Sequence, residues 1–222
     1  MSHSEPVSHA DLESRLAAAV KSMPMRHSAA DGVGRRLGIS ATEAGLHPLR
    51  ARRRSFAEAH SATSASLLVS RLPEPGESMH LLMDGSFRLG LVLPVIQRLI
   101  GGPCRLSVCT LGLHHNTTNL LHGMLQDGRL CHLRIALSSY FRAGDREIAD
   151  RAAKILSQAG AAIAVERLHV NLQLWQPEAG SDRYVVESSG NLRSCQCIEI
   201  ATVINDAPLF EWHSRWLSKL FA

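Results

Sequence analysis

RLSVCTLGLHHNTTNLLHGMLQDGRLCHLRIAL, residues 105–137, sets two short apolar runs on either side of a longer amphipathic stretch. Arg105–Leu111 reads as a strand rich in Val, Leu and Cys. Asn116 or Thr117 reads as the cap of a helix through Leu125, Asp127-Gly128 as its stop, and Leu130–Leu137 as the next strand. A strand, a helix and a strand at this spacing form one βαβ unit.

The rhythm extends in both directions. Upstream, His80–Met83 predicts a strand and Phe87–Ile100 a helix despite Pro94, with Gly101-Gly102-Pro103 ending it. Downstream, Asp145–Gln158 predicts a helix with Ile148, Ala152, Ile155 and Leu156 on one face and Gly160 at its C-terminal end. The last third changes pace. Ala162–Leu168, Val170–Trp175, Tyr184–Glu187 and Cys197–Ile204 are strand-like runs close together, so hairpin pairing joins the parallel part and the sheet is mixed. Pro208–Leu220, carrying Leu209, Phe210, Trp212, Trp216 and Leu217, closes the chain as a helix.

The 222 residues are 45% hydrophobic and 20% charged, enough for one core plus an appendage. Composition shifts near residue 78: earlier residues are rich in Ala, Ser, His and Arg with few large apolar side chains. Residues 1–78 are therefore expected to be a basic accessory region, partly disordered or small helical, and 79–222 the α/β domain. The Pro73-Glu74-Pro75-Gly76 loop marks the join. In the accessory region Ala10–Ser22 is a short helix candidate behind Ser8, and residues 35–54 have a faint helix-turn-helix cadence.

The longest apolar run, around Leu89–Ile100, is broken by Pro94, Gln97 and Arg98, which excludes a membrane span there. The polar, acidic first residues are unlike an export signal, so the expected location is cytoplasmic and no membrane partner is expected. Five cysteines without CxxC spacing and twelve scattered histidines predict neither disulfides nor a metal site, and no cofactor is expected. Only three of the 24 basic residues are lysines, which leaves 21 arginines. Six of them, Arg35, Arg36, Arg50, Arg52, Arg53 and Arg54, stand against one acid, Glu43, in a single stretch. That stretch is the expected contact with a nucleic acid.

The chemistry-bearing segment is HVNLQLWQPEAGSDRYVVESSGNLRSCQCIE, residues 169–199. Period-two geometry predicts that His169, Asn171, Gln173 and Trp175 share one strand face and Val170, Leu172 and Leu174 the other. After VVE, the Ser188-Ser189-Gly190-Asn191 turn offers hydroxyls, an amide and backbone N–H groups at a strand end, a place suited to an anionic oxygen. Arg193 follows, and Arg167 and Arg183 are close in sequence. Histidine, polar donors and arginines together are a phosphate-binding inventory that includes a nucleophile.

These residues resemble the signature of the phospholipase D-like phosphodiesterase and nuclease superfamily, a His-x-Lys followed by a Gly-Ser-x-Asn turn after the next strand. The resemblance covers about Met79 to Leu217 and implies a three-layer α/β domain of that type. It implies that His169 is the catalytic nucleophile, forming a phosphohistidine without metal, and that Glu199 is the acid orienting a histidine. It implies phosphate binding by Asn171, Ser189 and Asn191, with Arg193 beside them. The signature occurs once in this chain, and no internal repeat supplies a second, so the resemblance implies a homodimer with one motif from each copy. This sequence departs from the pattern in three ways. Asn171 stands where the family has lysine, Ser188 replaces the glycine, and the expected Asp is missing unless Asp182 serves. Loss of the lysine removes a charge-assisted hydrogen bond to phosphate worth about 1.5–3 kcal/mol. The expected function is phosphodiester binding, with nucleic acid as partner and a degenerate, weak or inactive catalytic site. The alternatives are an active metal-independent nuclease or phosphodiesterase, and a non-catalytic interaction scaffold.

Overall fold

The computed structural model describes residues 53–59, 69–83, 89–193 and 197–222, all within the unit Pro48–Ala222. Among these residues the strands are β1 (Arg53–Ala59), β2 (Glu77–Met83), β3 (Cys104–Thr110), β4 (Leu130–Ser138), β5 (Ala162–Glu166), β6 (Leu172–Pro177), β7 (Tyr184–Ser188) and β8 (Glu199–Asn205). The helices are α1 (Val92–Ile100), α2 (His115–Gln126), α3 (Ser139–Gly144), α4 (Arg146–Gln158) and α5 (Ala207–Ser218). Short 3-10 turns at Leu89–Leu91 and Lys219–Phe221 precede α1 and follow α5.

The strands form one sheet in the order β1-β2-β8-β7-β6-β3-β4-β5. Pairing is parallel for β1 with β2, β3 with β4 and β4 with β5, and antiparallel at the other junctions, so the sheet is mixed as expected. Alternation along the strands gives it two apolar faces. Leu106, Val108, Ile135, Leu137, Val186 and Val203 join Leu93, Ile96, Leu121, Met124 and Leu156 of the crossover helices in one core. Their neighbours Cys109, Ala136, Leu172, Leu174, Val185 and Ile204 join Phe210 and Leu217 of α5 in another. A strand in such a sheet gains on both sides from burial, at about 25 cal/mol per Å2 of apolar surface.

The crossover helices end where glycine supplies a left-handed residue: Gly101 (φ 78) returns its N–H to Gln97 O at 3.3 Å, and Gly128 (φ 77) follows α2. The start of α2 differs from expectation. His114, not Asn116 or Thr117, is the cap; its Nδ1 accepts from Asn116 N at 3.2 Å. The α1 helix opens at Val92, after a 3-10 turn and without a side-chain cap, and Phe87 and Arg88 of the expected helix lie outside the described residues. The sheet also takes in residues before 78, since β1 and the first residue of β2 lie there; β1, RRSFAEA, has too few large apolar side chains to stand out by composition. The expected helix at Ala10–Ser22, the helix-turn-helix cadence, and Arg35, Arg36, Arg50 and Arg52 fall outside the described residues; Arg53 and Arg54 open β1. No described helix is long and apolar enough to cross a membrane.

Candidate functional site

One edge of the sheet gathers the chemistry-bearing segment. The C-terminal ends of β3, β4 and β7 lie there with the N-terminal ends of β6 and β8, as the pairs Cys109 with Leu172, Leu172 with Glu187 and Ser188 with Ala201 require. Crossover connections also bring the first turns of α2 and α4 to this edge. Carboxyl ends of parallel strands are the usual ligand side of an open α/β sheet.

The His169 segment lies just before β6 rather than in it, because β6 begins at Leu172. His169 and Val170 are therefore exposed, Val170 at 36%, and the expected inward packing of Val170 does not occur. Within β6 the period-two reading holds: Leu172 and Leu174 enter one core and Trp175 the other. Gln173 is buried, and its Oε1 accepts from Trp175 Nε1 at 3.0 Å.

Asn171 is the hinge of the edge. Its Oδ1 accepts from Leu111 N at 3.0 Å, and its Nδ2 donates to Ser189 O at 3.1 Å. Its own carbonyl accepts from Ser188 N at 3.2 Å. The side-chain amide thus joins the end of β3 to the turn after β7, and both of its polar ends are engaged with backbone. A lysine here would present an ammonium; this amide instead closes the gap between two loops.

The Ser188–Asn191 turn is held from within. Ser188 Oγ donates to Gly190 O at 2.6 Å. Ser189 Oγ donates to Glu199 Oε2 and accepts from Ile200 N at 3.0 Å. Gly190 backs directly on Glu199, whose side chain lies 3.4 Å from where a Cβ would stand. Asn191 Oδ1 accepts from Arg193 N at 2.8 Å, an Asx turn that leaves its Nδ2 without a partner among the described residues. Arg193 Nη1 pairs with Asp145, just before α4. Glu199 is thus occupied by Ser189, and no hydrogen bond joins it to His169 among the described residues. His169 itself is exposed and makes no side-chain hydrogen bond there.

Sequence reasoning missed the residues beneath this edge. Thr110, 1% exposed, donates its hydroxyl to Gly112 O at 2.8 Å and accepts from Leu192 N at 3.2 Å. Thr117 Oγ1 donates to Leu192 O at 3.2 Å, and Ser138 Oγ donates to Leu168 O at 2.9 Å, anchoring the His169 loop to the end of β4. The available signal was a hydroxyl closing each apolar strand, in RLSVCT and LRIALS. Arg167 donates to Tyr140 Oη at 3.0 Å and lies over its ring. Asp182 and Arg183 are at the opposite edge. Asp182 Oδ1 accepts from the buried Asn205 there at 3.0 Å, so it does not stand in for the missing acid, and Arg183 does not serve this site. Among the described residues no group of three or more His, Cys, Asp or Glu side chains is gathered as a metal site requires.

No protein-family model matches the chain, and no curated protein matches it. Among solved structures it is similar to polyphosphate kinase from Porphyromonas gingivalis, at 12% identity and a TM-score of 0.47 over 65% of this chain and 26% of that one. It is also similar to phosphatidylserine synthase from Haemophilus influenzae Rd KW20, at 13% identity and a TM-score of 0.46 over 64% of this chain and 38% of that one. The chain spans well under half the length of either.

Proposed function

We propose that this is a phospholipase D-like phosphodiester-binding protein, with nucleic acid as its polyanion, and that hydrolysis at its site is weak or absent. The reading takes the helices on the two sheet faces as the outer layers of that three-layer fold. The observation that carries it is the Asn171 clamp. The His169 loop and the Ser189 turn are brought together in the order of the resembling motif, but the position that should supply an ammonium is an amide already bonded to Leu111 N and Ser189 O. Phosphate binding would fall to the exposed His169 imidazole, the Asn191 Nδ2, which has no partner among the described residues, and Arg193, helped by the positive ends of α2 and α4.

Were a phosphodiester attacked by a His169 ring nitrogen, the P–N bond would form as the leaving oxygen departed, and negative charge would grow on the equatorial oxygens. The missing ammonium withdraws about 1.5–3 kcal/mol of stabilisation per site, or roughly tenfold to a hundredfold in rate. A homodimer would bear that loss twice.

Binding is tested by fluorescence anisotropy with labelled single- and double-stranded DNA between 50 and 200 mM salt. Affinity is expected to fall about a hundredfold across that range, as about four neutralised phosphates require, and to weaken when Arg50, Arg52, Arg53 and Arg54 are all changed to Ala. No binding at 50 mM salt would reject the reading and leave the interaction scaffold.

A further inference from the structure

We propose that the cleft between α2 and α4 receives a nucleobase of the bound strand; this rests on the reading of nucleic acid as the polyanion at the neighbouring edge. The cleft has a volume of about 280 Å3, near the lower bound of the roughly 300–1,000 Å3 typical of small-ligand sites, so it suits one ring system rather than a whole chain. Its position follows from the crossovers. Its walls begin at the first turns of both helices, and the Asn191–Arg193 turn is tied to those same turns through His114 N to Leu192 O at 3.3 Å and through Arg193 to Asp145. A strand whose phosphate lies on that turn therefore has a base within reach of the cleft.

The lining is amphipathic in the way a base demands. Ile148, 40% exposed on the surface of α4, and Ile155 supply flat apolar contact. The side chains of Asn119, Glu147 and Arg151 line the same cleft and make no hydrogen bond or ion pair among the described residues, although Glu147 and Arg151 are one helical turn apart. A free amide, carboxylate and guanidinium offer both donors and acceptors to the edge of a ring, and guanidinium and imidazole planes are common stacking partners for unpaired bases. His115, whose ring lies 3.9 Å from that of His114, lines the cleft as well. A bare phosphate would leave the isoleucines wet, and an acyl chain would leave three polar side chains unpaired. A base satisfies both sets.

The test compares two labelled single-stranded probes of equal length and charge on the full chain, a DNA oligonucleotide and the same oligonucleotide with abasic sites throughout. The DNA is expected to bind about tenfold tighter than the abasic probe. Asn119→Ala, Arg151→Gln and Ile148→Ala, all changes at exposed positions, are each expected to shrink that ratio toward one. Equal affinity of wild type for the two probes would overturn the base cleft while leaving phosphodiester binding intact. Retention of the full ratio in all three variants would overturn it as well, and failure to bind either probe would overturn both proposals.

Discussion

Asn171 decides what the sheet edge can do, and its role is open to direct measurement. If its amide is a structural clamp, Asn171→Ala strands the Leu111 N–H and frees the Ser189 carbonyl. The expected result is a loss of about 1–3 kcal/mol in urea unfolding, with DNA affinity changed less than threefold once the protein is folded. A large loss of affinity at unchanged stability would instead make Asn171 a phosphate ligand. The sequence showed that Asn171 interrupts the resembling pattern, but not where its amide goes. That depends on the register of β6 against both β3 and β7, a contact over sixty residues in one direction and eighteen in the other. Ser189 was legible as a turn residue for a local reason, whereas its partner Glu199 was legible only as a carboxylate in an otherwise apolar strand.

Elements were more legible than contacts, because periodicity is local and packing is not. The β3–α2–β4 crossover appeared from its alternating blocks, and α4 from its apolar stripe, but of the expected face only Ala152 and Leu156 enter the core, joined by Ala149, while Ile155 is half-buried and Ile148 stays 40% exposed. β1 did not appear, since parallel pairing with β2 asks for backbone hydrogen bonds more than for large side chains. The entry to α1 shows how one small residue serves the site. A Cβ on Gly90 would lie 2.5 Å from Thr117 Oγ1, inside van der Waals contact, and that hydroxyl holds Leu192 O beneath the Asn191–Arg193 turn. Gly90→Ala is therefore expected to cost about 1–3 kcal/mol by overpacking. Hydrogen exchange is expected to rise at Leu192, whose carbonyl the displaced Thr117 supports, and at His114, whose N–H donates to that same carbonyl. Unchanged exchange there would separate the α1–α2 contact from the site turn. At the other end of the sheet, α5 is fixed by Asp206, whose Oδ1 accepts from Leu209 N at 2.6 Å. The buried His213 adds to this by accepting from Trp216 Nε1 at 3.2 Å and facing Glu187 at 2.9 Å.

For the whole molecule, the two cores set a limit on stability at high pH. Burial pushes the thiols of Cys104 and Cys109 up to about 12. In the unfolded chain these thiols lose their protons near about 8.5, so the folded state binds more protons between that pH and about 12. Stability is thus fully present below the unfolded value and declines as pH rises through the window. Urea midpoints are expected to fall between pH 8 and pH 10.5, with a shallower fall in Cys109→Ala. Peptide mapping after brief alkylation at pH 8 is expected to label the exposed Cys131 and to spare Cys104 and Cys109; equal labelling of all three would contradict the buried assignment. The proposed function has this edge grip a phosphodiester without breaking it. The most direct measurement incubates the purified full chain with end-labelled single- and double-stranded DNA in EDTA at low salt, beside His169→Ala, and reads complex and product from the same samples. A salt-sensitive shifted band with intact DNA is expected in both proteins. Cleavage by the wild type that His169→Ala abolishes would contradict it and establish a metal-independent phosphodiesterase in its place.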